Sequence, residues 1–249
     1  MIGMNLTRRR FATLLAAFGL ATPYRTVAAT EAKSGKSLTV IELFTSEGCW
    51  SCPPAEKKLA EIADDPDILA LAYHVDYWDY IGWPDPFANP EYTRRQRRYA
   101  GYFQSRTVYT PQMVFQGSSH APGSRPGEVE NELRRVARLE RTDIGLRHAS
   151  DAAVEIILPE VANAPHSQVL LVVYDHTQTS EVLRGENAGK TLTHRNVVRE
   201  MISVTDWQGR AETLTVELPH KRTSDRMGCA VLVQSTGTGR ILGGSALDL

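Results

Sequence analysis

The hydrophobic pattern divides the chain into two textures. Between Leu38 and about Glu140, short apolar runs alternate with segments whose apolar residues recur every three or four positions. Leu38 to Phe44 (LTVIELF) and Ile68 to Val75 (ILALAYHV) are nearly unbroken apolar runs of strand length. That is the pattern of strands covered on both faces. Between them, Pro53 to Ala63 turns Ala55, Leu59 and Ile62 to one side and opens with two prolines. Proline suits the first helical turn, whose amides have no intrahelical partner to lose. Two strands joined by one helix predict a parallel βαβ unit. A second helix is predicted from Asn89-Pro90, a strand over Met113 to Phe115, and an amphipathic helix over Glu128 to Glu140 with Val129, Leu133 and Val136 inward.

After about Arg141 the helical period disappears. Val154 to Leu158, Val169 to Tyr174, Val197 to Val204, Leu214 to Leu218, Ala230 to Gln234 and Ile241 to Ala246 read as short strands separated by polar, Gly or Pro segments. This predicts a β-sandwich or similar all-β module. The expected organisation is an α/β domain over residues 36–140, followed by a mainly-β, sandwich-like C-terminal domain over 141–249.

Residues 1–29 are expected to be a cleaved export signal rather than part of the fold. Arg8, Arg9 and Arg10 precede a short apolar run from Leu14 to Leu20, and small residues follow at Ala28 and Ala29. The run is too short to cross a bilayer as a helix. Paired arginines with Phe11 close behind resemble a twin-arginine signal; a general secretory signal is the alternative. Either route places the mature protein in the periplasm or outside the cell, without stable insertion in a membrane.

Composition narrows the function classes. The 249 residues are 42% hydrophobic and 23% charged with a net charge of −1, an ordinary globular balance that offers nothing to nucleic acid. Three cysteines are too few, and odd in number, for a disulfide-held scaffold. Cys49 and Cys52 are separated by Trp50-Ser51 where a strand gives way to a helix. A helix N-terminus favours the thiolate, the reactive form of cysteine, and two intervening residues let the second thiol reach the first. Cys49 is the expected exposed nucleophile and Cys52 the resolving thiol. A closed structural zinc site would need a second close pair of ligands, which Cys229 and the seven histidines do not form. Thr110-Pro111, just before a strand, is the candidate cis-proline of a thioredoxin-like site, with Trp50, Thr110 and Trp78 placed to meet substrate.

Four stretches, ELFTSEGCWSCPPAE, YHVDYWDYIGWPDPFA, VYTPQMVFQG and GENAGKTLTHRNVV, together resemble the DUF1223 family of secreted bacterial proteins. The resemblance spans nearly all of the mature chain. It implies a thioredoxin-like domain with an appended β domain, and active-site positions at Cys49, Cys52 and Pro111. It implies no reaction.

Other candidates are weighed against plainer roles. Glu42, the one acid in the first apolar run, is either a buried proton acceptor for Cys52 or a strand-edge carboxylate in water or in a salt bridge. His74 could join both thiols around a soft metal such as Cu(I), or simply sit satisfied in an aromatic loop. Trp78, Trp83 and Phe87 are a substrate wall or local packing. Arg94 to Arg98 reads as the solvated face of a helix. Gly185 to Thr191 fails as a phosphate loop, since three residues rather than four separate its glycines and a strand follows. Cys229 reads as a small buried hydrophobe. The expectation is therefore a thiol–disulfide oxidoreductase acting on protein thiols, protein disulfides or a small thiol. Its redox-active Cys49/Cys52 pair needs no cofactor. A Cu(I) metallochaperone using Cys49, Cys52 and His74, or a redox-inert binding protein, are the alternatives.

Overall fold

The computed structural model describes residues 37–219 and 227–249; the expected export signal lies outside them. Strand β1 (Thr39–Thr45) leads through the cysteine loop into helix α1 (Pro53–Ala63) and strand β2 (Ile68–His74). The two strands pair in parallel, Thr39 opposite Ile68 through Thr45 opposite His74, as the βαβ pattern predicts. A short 3-10 turn at Asp79–Ile81 interrupts the aromatic loop before α2 (Pro90–Tyr102), where Asn89 accepts a hydrogen bond from the amide of Glu91. Strands β3 (Gln112–Phe115) and β4 (Ser119–Pro122) and helix α3 (Pro126–Val136) complete this half. The helix begins two residues earlier than its apolar period and stops at Val136, short of the predicted Glu140.

Among the described residues that follow, the regular elements are strands: β5 (Gly145–Ser150), β6 (Ala153–Leu158), β7 (Ser167–Glu181), β8 (Thr191–Trp207), β9 (Glu212–Glu217), β10 (Met227–Ser235) and β11 (Ile241–Asp248). Among the described residues the eleven strands form two sheets. Eight strands run in the order β11-β10-β7-β8-β2-β1-β3-β4, and β5-β6-β9 make a smaller sheet. The protein is thus mixed α/β, with one large mixed sheet and few helices. Residues on both sides of position 140 share that sheet, because β8 joins β2 in parallel at Val197 and Ala72.

Alternation along β1 sets the layers. Ile41 and Leu43 pack with Ala55, Leu59 and Ile62 of α1 and Val129 and Val136 of α3. Val40 and Phe44 face the other way, toward Tyr92 and Tyr99 of α2 and Leu170, Val172 and Leu232 of β7 and β10. Val169, Val231 and Val233, on the opposite face of those same strands, share a core with Ile156 and Leu158 of the small sheet.

Two strands are far longer than their apolar runs. Residues 169–174 are the buried run of β7, whereas β8 is buried at Leu192, His194, Asn196 to Val198 and Trp207, and the hairpin continues beyond the apolar runs to Glu181 and back from Thr191. Its tip, residues 182–190, is closed by Gly189 donating to Val182 and Val182 donating to Lys190. That ribbon carries the second half of the chain to the cysteine loop.

Candidate functional site at the cysteine pair

Cys49 and Cys52 form a disulfide. Cys52 stands at the N-cap of α1, and Pro53 and Pro54 fill the first turn, so no amide there lacks a partner through a missing intrahelical bond. Backbone bonds from Cys49 to Ser46 and from Cys52 to Cys49 coil the loop tightly. The expected exposure of Cys49 is corrected by the structure: Cys49 is 1% and Cys52 0% exposed, while Trp50 between them is 69% exposed.

The cover comes from the hairpin tip. The Asn187 side chain donates to the carbonyls of Glu47 (2.8 Å) and Cys49 (3.0 Å), and the Glu186 carboxylate accepts from the amide of Trp50 at 3.1 Å. Gly185 has φ +80°, and a Cβ there would stand 3.1 Å from Ile81 Cδ1. Only glycine takes that conformation at little cost.

Beneath the loop lies a buried polar cluster. His194 on β8 lies between two carboxylates, with Nδ1 2.6 Å from Glu56 and Nε2 3.0 Å from Glu47. Glu56 is on α1 one turn after Cys52, and also accepts from the Thr45 hydroxyl at 2.6 Å. Glu47 further accepts from the Trp83 indole at 2.7 Å and from the Ser180 hydroxyl. Beside them His74 Nδ1 meets Asp85 at 2.8 Å, and Asp85 also takes the amides of Glu47 and Phe87. The His74 and His194 rings stand edge to face, 4.8 Å apart, with Phe87 against both.

These groups hold one another's charge states. Burial works against a charged imidazole, yet hydrogen bonds to Glu47 and Glu56 push His194 up to about 10. Burial alone would raise the Glu56 carboxyl, but His194 brings it below its ordinary value. Asp85 is likewise lowered despite its burial, by the His74 imidazole and its N–H donors.

Glu42, the expected partner of the resolving cysteine, is turned away from α1 by the alternation of β1. It receives Nε and Nη2 of Arg95 at 2.7 and 3.0 Å and the Tyr99 hydroxyl, while Arg95 Nη1 reaches Gln234 at 3.0 Å. A carboxylate fully committed to a guanidinium on the far face is a poor proton acceptor for Cys52. The same pair corrects the solvated-face reading of the arginine run, since Arg95 is buried.

The Thr110–Pro111 bond is cis. Gln112 pairs with Phe44, so Pro111 lies beside the end of β1 from which the cysteine loop departs. Trp78 donates its indole N–H to the Thr110 hydroxyl at 2.7 Å, tying the aromatic loop to this corner. Among the described residues, one His/Cys/Asp/Glu group gathers metal-ligating atoms closely: Glu56, His74 and His194. No cysteine sulfur belongs to it. Cys229 is buried in β10, and burial pushes its thiol up to about 12.

Residues 40–234 match the family described as a protein of unknown function, DUF1223. The chain belongs to the DUF1223 family. Protein AGR_C_4864 from Agrobacterium tumefaciens, a member of the solved structures, is 31% identical over 86% of this chain and 95% of its own, with a TM-score of 0.73. HBP35 of Porphyromonas gingivalis covers 86% of this chain and 76% of its own at 15% identity, with a TM-score of 0.58, and shares the fold alone. No curated protein matches the chain.

The four stretches that carry the DUF1223 resemblance converge on this one site. Glu47, Glu56 and the cysteines come from the first, His74 and Asp85 from the second, Pro111 from the third, and Asn187 and His194 from the fourth. Sequence reasoning passed over Glu47, Glu56, Asp85, Asn187 and His194.

Proposed function

We propose that this DUF1223 protein is an exported thiol–disulfide oxidoreductase whose working group is the Cys49–Cys52 pair. The observation that carries the reading is the disulfide at the start of α1, directly after a strand in the middle of a sheet. In the oxidised protein a substrate thiolate attacks Cys49, and Cys52 leaves as a thiolate. A second substrate thiolate then attacks the mixed disulfide and releases Cys49. The substrate disulfide formed and the two protein thiols balance the two electrons transferred, and the reverse sequence reduces a substrate disulfide. Protein thiols or a small thiol are the substrate class, and the periplasm is the compartment in which such chemistry is used.

A thioredoxin-like reading of residues 36–140 is supported by the β1–CxxC–α1–β2 order, the antiparallel β3 beside β1 and the cis bond before Pro111. A sandwich-like reading of 141–249 is supported by the core that β7 and β10 share with the small sheet. Because both sulfurs are covered, turnover requires the hairpin tip or the aromatic loop to yield as the partner docks, with Trp50 as the exposed contact.

Trapping tests the reading. Cys52→Ala, produced in an exporting host, should accumulate mixed disulfides through Cys49 that dissolve on reduction. Folded Cys52→Ala with no thiol-sensitive adduct, or oxidoreductase activity that persists in Cys49→Ser, would reject it.

A further inference from the structure

Glu56, His74 and His194 present three donor atoms within 4.8 Å of one another, and all three residues are buried. The two histidines are built alike. His74 Nδ1 faces Asp85 at 2.8 Å, and His194 Nε2 faces Glu47 at 3.0 Å. A carboxylate behind one ring nitrogen fixes an imidazole's tautomer and aims its other nitrogen, the usual support of a metal-bound histidine. On His74 that other nitrogen, Nε2, is buried without any hydrogen-bond partner. A buried polar atom left unpaired is costly, and such an atom calls for an explanation.

Charge points the same way. Three buried carboxylates, Glu47, Glu56 and Asp85, surround the two imidazoles. Among the described residues no lysine or arginine pairs with any of the three. Even with both rings protonated, the cluster keeps an excess negative charge in the interior, where uncompensated charge is expensive. A divalent cation taken up in place of the one His194 proton lowers that excess by one charge.

We propose that Glu56, His74 and His194 form a binding site for Zn²⁺, with Asp85 and Glu47 supporting the two histidines. Two imidazole nitrogens and one carboxylate oxygen suit zinc. Calcium and magnesium want oxygen alone, and Cu(I) prefers sulfur. On binding, His194 Nδ1 exchanges its hydrogen bond to Glu56 for the metal and its proton passes to solvent, while Nε2 keeps Glu47. Three protein ligands leave a fourth position for water. The site uses no sulfur, so it operates with the Cys49–Cys52 disulfide intact and does not depend on the redox reading.

The test uses purified protein with its disulfide intact, stripped with a chelator, incubated with zinc chloride and dialysed. Metal is then counted by plasma mass spectrometry. One zinc per chain is expected, retained in the Cys49→Ser/Cys52→Ser double variant. His74→Gln should weaken zinc binding by about 100-fold or more, and Asp85→Asn by about 10- to 100-fold. Circular dichroism of each variant, and Glu56→Gln as an independent ligand change, separate a lost site from a lost fold. Co²⁺ in place of zinc should give visible d–d bands without a sulfur charge-transfer band. No stoichiometric zinc in the oxidised protein, undiminished zinc in folded His74→Gln, or zinc lost with the cysteines would overturn the proposal.

Discussion

Asn187, at the tip of the β7–β8 hairpin, donates to the carbonyls of both Glu47 and Cys49, 138 to 140 residues away along the chain. One side-chain amide therefore holds two turns of the cysteine loop against a strand ribbon from the other half of the protein. Its removal should free the loop. Asn187→Ala takes a donor from the Glu47 carbonyl and from the Cys49 carbonyl, which keeps the Cys52 amide, and should cost about 1–3 kcal/mol in chemical denaturation. It should also speed reduction of the disulfide by dithiothreitol, followed by quenched alkylation. An unchanged reduction rate would mean that the tip does not control access.

The His194 couple predicts a pH dependence. Its folded pKa, about 10, lies above the ordinary 6.5, so the folded state holds a proton that the unfolded chain releases. The contribution is full below about pH 6.5, declines as pH rises, and is gone once pH passes about 10. Glu56 acts in the opposite sense, because its lowered folded pKa adds stability above its ordinary 4.5 that is lost as pH falls. Chelator-treated protein should therefore lose up to a few kcal/mol between pH 6.5 and 10, and His194→Gln should flatten that slope in urea titrations.

The Glu42–Arg95 pair is a structural element with a stability signature. Either Glu42→Leu or Arg95→Met leaves a buried charge alone and should cost about 3–5 kcal/mol, whereas the double substitution should recover much of that loss. Denaturation midpoints of the three variants measure this. Equal rates of disulfide reduction in wild type and folded Glu42→Gln would agree with a carboxylate that does not serve Cys52.

Cys229 should be chemically silent. With its thiol raised to about 12 and no exposure, it should resist iodoacetamide in the native protein and react only after unfolding. Mass spectrometry of labelled peptides before and after denaturant reads this directly. Labelling in the folded state at the rate of a free thiol would contradict the burial.

Much of the scaffold was legible in the sequence because it follows from apolar spacing. Helix α1 begins and ends where Pro53 and Ala63 say it should, and β1, β2 and β3 match their apolar runs to within a residue or two. Strands β4 (SHAP) and β5 (GLRHAS) escaped notice because partly exposed strands lack a continuous apolar run. The outer halves of β7 and β8 escaped for a related reason. Residues such as Gln178, Ser180 and Thr193 are polar, and only pairing across the hairpin makes them strand. The site followed the same division. Two cysteines and a proline announce themselves by type and spacing, whereas His194 reaches Glu56 only through a register that no local pattern specifies. For Glu42 the sequence left a proton acceptor and a salt bridge open, because periodicity places a residue on a face but does not say which helix covers it, and the structure pairs it with Arg95 of α2.

The single bridge of β8 to β2 has a bearing on how this protein can be divided. A fragment ending near residue 140 would carry both cysteines and the cis-proline, yet it would lack His194 and Asn187. It would also expose the flank of ILALAYH as a bare apolar sheet edge, a ready template for pairing with other chains. The β7–β8 ribbon is thus also a guard against aggregation, and attempts to isolate the cysteine-bearing half should yield self-associating material unless that ribbon is included.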